Sequence, residues 1–379
     1  RTMEEVQTYS GAIFSDVFVG IAGQHIKTIR NRGYINRNSY EDEITRKDID
    51  DLIKEMYNIS IDVGEEIIHV LPQNFIVDNE TGIKNPVGML GRRVEANFHI
   101  VIGQITSARN IGKCISKAGL KLNELILEPL ASSAAVLTAD EKEAGVALVD
   151  IGGGTTDVAV YYDDIIRHTA VIPFGGDVVT KDIKEGCSIL QRQAELLKIQ
   201  YGSALGDIAR DDEVVSIPGI SGREPKEISL KSLAYIIQSR MEEILNAVLY
   251  EIENSGYYER LSAGIVITGG GALLKDLPQL VKFITGMDVR LGYPSELLAS
   301  ESVDDVNNPM FSTSVGLILK GWEFLEQHSG EYKGNEESTE ESTEETEDDE
   351  EQTEIQNKGF IGRLKQAFND IFEENDAEM

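Results

Sequence analysis

The feature that most constrains this fold is a glycine run between two apolar segments, at residues 146–162 (VALVDIGGGTTDVAVYY). Consecutive glycines inside a helix would each cost about 1 kcal/mol, and the flanking segments are rich in Val, so the pattern predicts two strands joined by a turn. Glycines let backbone N–H groups approach a ligand, and successive amides and hydroxyls form a concave site for phosphate oxygens. The predicted phosphate-binding residues are Gly152, Gly153, Gly154, Thr155 and Thr156.

An acidic residue ends the first predicted strand. Asp150 precedes the glycines at a position from which a carboxylate can hold Mg²⁺ through water. Glycines alone are equally typical of an ordinary hairpin turn. The acid in front and the threonines behind favour a nucleotide phosphate site instead.

Two further glycine groups follow apolar strands. Gly175 and Gly176 come after the strand predicted at 165–172 and open a helix, which indicates a second possible anion site. Gly269, Gly270 and Gly271 lie between the apolar segment 263–268 and another helix. A strand that runs into a glycine turn places backbone against a nucleotide, so this turn is predicted to bind the same ligand.

Three charged residues complete the candidate site. Glu128 precedes Pro129, and proline suits the first helical turn, so Glu128 is expected at a strand end that faces a helix N-terminus. Glu195 and Lys198 are three residues apart on the helix predicted at 191–200 and therefore share one face. Taken alone, such a pair is more typical of a solvent-facing surface.

Composition excludes several classes of protein. The chain has 379 residues, which is enough for two or more domains, and its net charge of −31 argues against general nucleic-acid binding. Two cysteines, Cys114 and Cys187, cannot form a disulfide framework, which favours a reducing compartment. No apolar run approaches the roughly 20 residues that span a bilayer, and no signal peptide is visible.

Residues 17–98 read as a small module of strands and one helix. Segments 17–21 and 26–29 are predicted to pair around Ala22-Gly23, and a helix with apolar positions 49, 52, 53 and 56 follows the capping residue Thr45. Residues 79–82 read as a turn. His69 and His99 are interpreted as strand or packing residues rather than metal ligands.

The C-terminal part differs in composition. Residues 331–354 hold thirteen acidic residues and one lysine, so 329–356 is predicted to be a disordered, extended tether. Residues 357–373 have the spacing of an amphipathic helix. Such a helix can dock on its own domain, but the long tether favours a membrane surface. The predicted lipid-contacting residues are Phe360, Ile361, Leu364, Phe368, Ile371 and Phe372.

The order of these motifs resembles the actin/Hsp70/sugar-kinase superfamily of ATP-binding proteins. The resemblance implies that the first glycine site binds the β- and γ-phosphates and that the Gly269–Gly271 turn lies against the adenosine. It also implies that Glu195 and Lys198 reach the ribose and base. Glu128 would orient the attacking water, and Asp150 would approach Mg²⁺ through water.

Within the superfamily, the chain resembles the FtsA family of bacterial cell-division proteins. Residues 19–23 (VGIAG), 71–78 (LPQNFIVD) and 85–91 (NPVGMLG) look like the inserted 1C subdomain of that family. The resemblance runs from about Thr2 to Trp322 and resumes at the last helix. It implies an α/β, actin-like, two-lobed ATPase fold with an inserted SHS2-like 1C subdomain, an acidic tether and a terminal amphipathic helix.

The resemblance also implies a division of the chain into subdomains. The implied ranges are partial 1A at 1–16 and 99–140, 1C at 17–98, 2A at 141–194 and 262–308, 2B at 195–261, a helix returning to 1A at 309–328, the linker at 329–356 and the membrane helix at 357–373.

One departure from the superfamily pattern concerns the start of the chain. Its members begin with a hairpin bearing Asp-x-Gly-Ser/Thr, which residues 1–16 do not contain. Residues 62–65 (DVGE) have part of this spacing but read as a turn inside the module. We therefore expect the complete protein to carry this hairpin upstream, and to bind Mg-ATP more tightly than the present chain.

The implied function is that of an ATP-binding adaptor at the cytoplasmic face of the cell membrane, at the division septum. It would bind the C-terminal tail of the tubulin-like protein FtsZ, contact other divisome proteins, self-associate into actin-like filaments and hydrolyse ATP weakly at most. The FtsZ site is expected near 230–253, with Arg240 as a candidate. Two alternatives remain: a PilM-like pilus-assembly ATPase, which lacks the terminal helix, and a sugar or acetate kinase, in which the module and that helix have no role.

Overall fold

The computed structural model describes residues 2–11, 14–38, 40–210, 212–219, 224–294 and 306–337. The six predicted lipid-contacting residues and most of the predicted tether lie outside these ranges. The strands are β1 (Asp16–Ile21), β2 (Lys27–Asn36), β3 (Glu65–Val77), β4 (Glu80–Ile83), β5 (Arg93–Gln104), β6 (Lys121–Leu127), β7 (Val146–Ile151), β8 (Thr156–Tyr162), β9 (Ile165–Ile172), β10 (Val214–Ile217), β11 (Lys226–Ser229), β12 (Ile265–Thr268) and β13 (Val289–Leu291). The helices are α1 (Thr2–Ser10), α2 (Arg46–Met56), α3 (Ile105–Lys117), α4 (Glu128–Val136), α5 (Ala139–Ala144), α6 (Gly176–Cys187), α7 (Gln191–Tyr201), α8 (Leu230–Asn254), α9 (Leu277–Thr285) and α10 (Ser312–Glu337).

The largest sheet has the strand order β13-β12-β7-β8-β9. β7, β8 and β9 form an antiparallel meander, which confirms the predicted hairpin, whereas β12 and β13 run parallel to β7. β7 is buried along its whole length, as expected for a strand covered on both faces. Since β7 and β12 are parallel neighbours, the glycine turns that follow them lie at the same edge of the sheet.

The inserted module is an antiparallel sheet of order β2-β5-β3-β4 with α2 packed on it. α2 begins at the predicted capping box, in which Thr45 and Asp48 exchange hydrogen bonds. The turn predicted at 79–82 is shifted, because Asp78 and Asn79 adopt positive φ and β4 already begins at Glu80. The predicted turn at 62–65 precedes β3, which begins at Glu65.

The strand β1 does not belong to this module sheet. It pairs in parallel with β6, and β2 pairs instead with β5, so the predicted pairing of 17–21 with 26–29 is wrong. Parallel pairing joins residues that are distant in the chain, which local sequence patterns do not reveal. Further along the chain, β10 and β11 form a short antiparallel pair.

α10 packs against α4. A Cβ built at Gly316 would lie 1.8 Å from the Ala131 carbonyl oxygen, so the two helices touch through backbone. α10 continues to Glu337, so the prediction of an extended tether is wrong for residues 329–337. Among the residues that the structure describes, no helix is long and apolar enough to cross a bilayer.

Candidate functional site

The predicted phosphate hairpin is the turn between β7 and β8. The Gly152 N–H donates to the Thr155 carbonyl oxygen at 2.9 Å and closes the turn. Gly153 and Gly154 are exposed, and a Cβ built at Gly154 meets none of the described atoms within 4 Å. The protein therefore leaves space beside Gly154, where backbone amides can face a ligand, whereas a Cβ at Gly153 would lie 3.4 Å from Asp177 Oδ1.

The two threonines after the turn have different surroundings. Thr155 is half-buried, and its Oγ1 lies 3.5 Å from Asp157 Oδ2. Thr156 is buried, and its hydroxyl donates to the Phe174 carbonyl oxygen at 2.8 Å. Thr155 thus remains at the hairpin surface, whereas the Thr156 hydroxyl is used to fix the loop before α6.

The start of α6 packs against the same hairpin. The Gly176 N–H donates to the Gly152 carbonyl oxygen at 2.9 Å, and the Asp177 N–H donates to that of Gly153 at 2.8 Å. A Cβ built at Gly175 would lie 2.5 Å from the Gly152 carbonyl oxygen. The N–H groups of Gly176 and Asp177 are therefore bonded to the hairpin, and Gly175 packs against its backbone. A role of Gly175 and Gly176 at the anion site stays a prediction.

The turn after β12 lies directly beside the end of β7. Gly269 has a φ of +85°, and a Cβ there would lie 2.3 Å from Asp150 Oδ1. A Cβ at Gly271 would lie 2.4 Å from Ile151 Cγ2, so this position also accepts only glycine. Gly270 is exposed. The two predicted glycine sites are therefore brought together around Asp150.

Three carboxyl groups lie at this junction. Asp150 is buried and accepts hydrogen bonds from Ser132 Oγ at 2.5 Å and Thr313 Oγ1 at 3.1 Å, while burial raises its pKa. Burial and the charge of Asp150 raise the pKa of Glu128. Burial, with the charges of Glu128 and Asp150, raises the pKa of Asp157 to about 8.

This set of acids fits a hydrated divalent cation. Asp157 Oδ1 is buried and has no hydrogen-bond partner among the described residues, so this oxygen has an unused acceptor position that a water of a hydrated cation can fill. Within the described ranges, no group of three or more His, Cys, Asp or Glu side chains is arranged to bind a metal ion. Mg²⁺ typically keeps several waters and takes few protein ligands when it binds with nucleotide phosphates, which agrees with water-mediated contact to Asp150.

Glu195 and Lys198 are connected to α6 by hydrogen bonds, although the Glu195 side chain remains partly exposed. Lys198 Nζ donates to the Gly176 carbonyl oxygen at 3.0 Å and lies 2.9 Å from Glu195 Oε2. Burial raises the pKa of Glu195, but hydrogen bonds from Thr180 and Lys198 outweigh it and leave the pKa below its usual value. The structure thus connects this predicted pair to the phosphate hairpin through Gly176.

Arg240 lies away from the glycine turns, on α8. Its Nε lies 2.5 Å from Asp182 Oδ2, and its guanidinium also pairs with Glu243. The hydrogen bond to Asp182 is the main reason why the pKa of Arg240 is raised. Arg240 is therefore held against α6 by one ion pair and by a neighbour on its own helix.

Sequence reasoning missed three hydroxyl residues at the site. Ser132 and Thr313 bond to Asp150, and Thr180 contacts both Glu195 and Lys198. A weak signal was present, since Ser132 and Thr313 fall in helices rich in small residues. Nothing in the sequence indicates that the two helices meet at one carboxylate.

The fold and site together define the class of actin-like proteins. The structure is similar in fold to a chain of the PilM–PilN type IV pilus biogenesis complex, with a TM-score of 0.59, 15% identity and 84% of each chain covered. At that identity the likeness concerns the fold alone.

Sequence comparison gives the particular family. The family described as "Cell division protein FtsA" matches residues 147–316, and the "SHS2 domain inserted in FTSA" matches residues 23–102. The chain is 39% identical to the cell division protein FtsA of Pseudomonas aeruginosa, over 85% of this chain and 76% of the relative. It is 36% identical to that of Escherichia coli K12, over 85% and 78% respectively. The chain therefore belongs to the FtsA family of actin-like cell-division proteins.

Proposed function

We propose that this cell-division protein binds Mg-ATP and attaches FtsZ filaments to the cytoplasmic face of the cell membrane at the division septum. One observation carries the nucleotide part of the proposal. Two glycine turns follow the adjacent parallel strands β7 and β12 and meet around the buried carboxylate of Asp150. Open backbone beside buried acids fits phosphates together with a divalent cation.

In this proposal, each part of the site has one task. The amides of Gly153, Gly154 and Thr155 bind the β- and γ-phosphates, and the exposed face of Gly270 lies against the adenosine. Mg²⁺ supplies the positive charge that the phosphates and acids require. Asp150, held by two hydroxyls, orients the water between its carboxylate and the cation.

Glu128 is proposed to orient the water that attacks the terminal phosphate. It lies at the end of β6 and the start of α4, and its pKa is raised by burial and by Asp150. A carboxyl group with a raised pKa is better able to accept a proton near neutral pH. We propose slow hydrolysis at most, because positioning dominates this class of reaction and a single acid contributes only part of it.

The partner and membrane contacts rest on other parts of the chain. We assign the FtsZ tail to the surface of α8, where Arg240 would exchange part of its pairing with Asp182 for a carboxylate of the tail. Attachment to lipid is assigned to residues 357–373 through the acidic segment that precedes them. Self-association into filaments and contacts with other divisome proteins belong to the same proposal, as does the subdomain division given above.

The two alternatives are less well supported. A pilus-assembly role would rest on a likeness of fold at 15% identity, whereas the relatives that share 36–39% identity are cell division proteins. A sugar or acetate kinase would not need the SHS2 module that residues 23–102 match.

Calorimetry of the full-length protein with Mg-ATP tests the nucleotide proposal. Gly154→Asn places a side chain where the structure leaves open space, so it should weaken binding at least about tenfold, or about 1.4 kcal/mol, without unfolding the protein. Gly82→Asn is the matched control, because Gly82 is equally open and asparagine tolerates its positive φ. Absence of Mg-ATP binding by the wild type, or equal binding by both variants, would contradict the proposal.

A further inference from the structure

We propose that Thr180 is a positioning residue that holds Glu195 in place for the ribose of the bound nucleotide, and so sets a preference for ribonucleotides over deoxyribonucleotides. The inference rests on the proposed nucleotide site. Thr180 lies on α6, one turn after Gly176, and its side chain is buried.

The Thr180 hydroxyl connects three groups that belong to different parts of the site. It lies 3.0 Å from the Gly176 carbonyl oxygen, at the base of the phosphate hairpin. It accepts a hydrogen bond from Lys198 Nζ at 2.8 Å and contacts Glu195 Oε2 on α7. One buried oxygen thus links the base of the predicted phosphate hairpin to Glu195 and Lys198, the two residues expected to reach the nucleoside.

Only Lys198 and Thr180 supply hydrogen-bond donors to these contacts. A lysine ammonium has three protons, and Lys198 can direct them to the Gly176 carbonyl oxygen, the Thr180 hydroxyl and Glu195 Oε2. Lys198 then has no further proton for a ligand while the network is intact. The single proton of Thr180 is shared between the Gly176 carbonyl oxygen and Glu195, and the carboxylate is the stronger acceptor.

These bonds fix one oxygen of Glu195 and leave the rest of the carboxylate accessible. The side chain is 42% exposed, so acceptor positions of its carboxylate remain open to solvent. A carboxylate can only accept hydrogen bonds, and the sugar hydroxyls of a ribonucleotide are donors of the right kind. A carboxylate held in one orientation distinguishes a ribose from a sugar that lacks the 2′-hydroxyl more sharply than a mobile one.

Another threonine makes the same bond within its own helix but lacks the contacts to a second helix. On α9, the Thr285 hydroxyl donates to the Val281 carbonyl oxygen at 2.7 Å, which is the same bond to the preceding turn that Thr180 makes to Gly176. Both threonines are buried. Thr285 provides a matched control because it makes this bond without the contacts to α7.

The test measures the dissociation constants of Mg-ATP and Mg-2′-deoxyATP for the full-length wild type, Thr180→Val, Thr180→Ser and Thr285→Val. We expect the wild type to prefer ATP, and Thr180→Val to reduce the ratio of the two constants at least threefold. Thr180→Ser, which keeps the hydroxyl, should restore the ratio, and Thr285→Val should leave it unchanged. Glu195→Ala should reduce the ratio as Thr180→Val does. If Thr180→Val fails to fold, the ratio measured for Glu195→Ala is the test of the inference.

The outcomes separate this inference from the proposed function. If the wild type binds neither nucleotide, the proposed function is contradicted and this inference with it. If the wild type binds both but Thr180→Val weakens them equally, Thr180 supports only the hairpin and the positioning role is wrong. An unchanged ratio in Glu195→Ala would overturn the inference while leaving nucleotide binding intact.

Discussion

Two buried histidines show how single residues connect the inserted module to β6 and β9. His69 Nε2 accepts a hydrogen bond from the Leu127 N–H of β6 at 3.0 Å, and His99 Nε2 lies 2.9 Å from Thr169 Oγ1 of β9. Both were interpreted as packing residues, and their burial agrees with that interpretation. Desolvation is the main cause that lowers the pKa of each histidine to about 4.

Acidic pH should therefore lower the free energy of unfolding, because both histidines must become protonated when the chain unfolds. The unfolded chain takes up protons near pH 6.5 while the folded protein resists them until about pH 4, so the free energy of unfolding falls as pH falls through this window. We expect the double variant His69→Gln, His99→Gln to lose less stability than the wild type between about pH 7 and pH 5, by 1 kcal/mol or more. Urea unfolding at both pH values measures this. Equal losses for the two proteins would contradict the prediction.

The role of Glu128 is a second prediction at the residue scale. Glu128→Gln keeps the shape of the side chain but removes its ability to accept a proton, so steady-state ATP turnover should fall about tenfold or more. The affinity for Mg-ATP should change less than about threefold. A phosphate-release assay and calorimetry on the full-length protein give the two values. If binding is lost together with turnover, Glu128 has a structural role instead.

At the scale of elements, glycine backbone defines the site more than side chains do. The hairpin, the start of α6 and the turn after β12 approach one another within distances that a Cβ would block at Gly175, Gly269 and Gly271. A close backbone approach at a glycine also joins α4 to α10, where Gly316 packs against the Ala131 carbonyl oxygen. These two helices carry Ser132 and Thr313, whose hydroxyls fix Asp150.

Substitution of Gly316 tests whether this helix contact supports the site. A methyl group there would overlap backbone of α4, so Gly316→Ala should lower the free energy of unfolding by about 1–3 kcal/mol and weaken Mg-ATP binding. Gly112→Ala on α3 is the control, because its Cβ would meet only Leu122 Cδ2, at 3.9 Å, and alanine favours the helix. Urea unfolding of both variants gives the comparison. An undiminished stability of Gly316→Ala would show that the helices separate easily.

The sequence predicted the positions of strands and turns better than it predicted which strands pair with each other. The three glycine turns and the strands before them were predictable, because turn chemistry and apolar runs are local properties. The pairing of β1 with β6 was not, since about 100 residues separate strands that contain no signal of each other. The hydrogen bond from the Gly176 N–H to Gly152 and the contacts of Thr180 were not predictable either, because both depend on tertiary packing.

At the scale of the whole molecule, the inserted module contacts β9 of the largest sheet through polar groups. Gln73 Nε2 donates to the Ile166 carbonyl oxygen at 2.6 Å, and Arg167 Nη1 donates to Asn74 Oδ1 at 2.9 Å. Polar contacts of this kind are typical of interfaces between domains that can move relative to one another. β9, which receives these contacts, leads directly into the loop before α6.

Membrane attachment is the prediction that concerns the entire chain. Burial of the apolar face of residues 357–373 would contribute several kcal/mol, at roughly 25 cal/mol per Å². Lys358, Arg363 and Lys365 would attract anionic lipid by up to about 1 kcal/mol each, but the acidic residues after 372 would cancel much of this gain. We therefore expect liposome binding to survive moderate salt and to fail in Phe368→Glu.

Co-sedimentation with liposomes checks this prediction, with a chain that ends at Gln356 as the control. If the truncated chain still sediments with liposomes, the lipid site lies elsewhere in the protein. If Phe368→Glu binds normally while high salt releases the wild type, attachment is electrostatic and the apolar term has been overestimated.

The parallel pairing of β1 with β6 also has a consequence for the order of folding. These strands meet only after the chain between Ile21 and Lys121 has closed into a loop, and the entropy cost of closure grows with loop length. In the folded module, Lys27 at the start of β2 lies opposite Ile102 near the end of β5, so the module brings its own two ends together. A module that folds early would shorten the effective loop and remove most of that cost. Substitutions in the module core should therefore slow the pairing of β1 with β6 during refolding, even where they leave the contacts of these two strands unchanged.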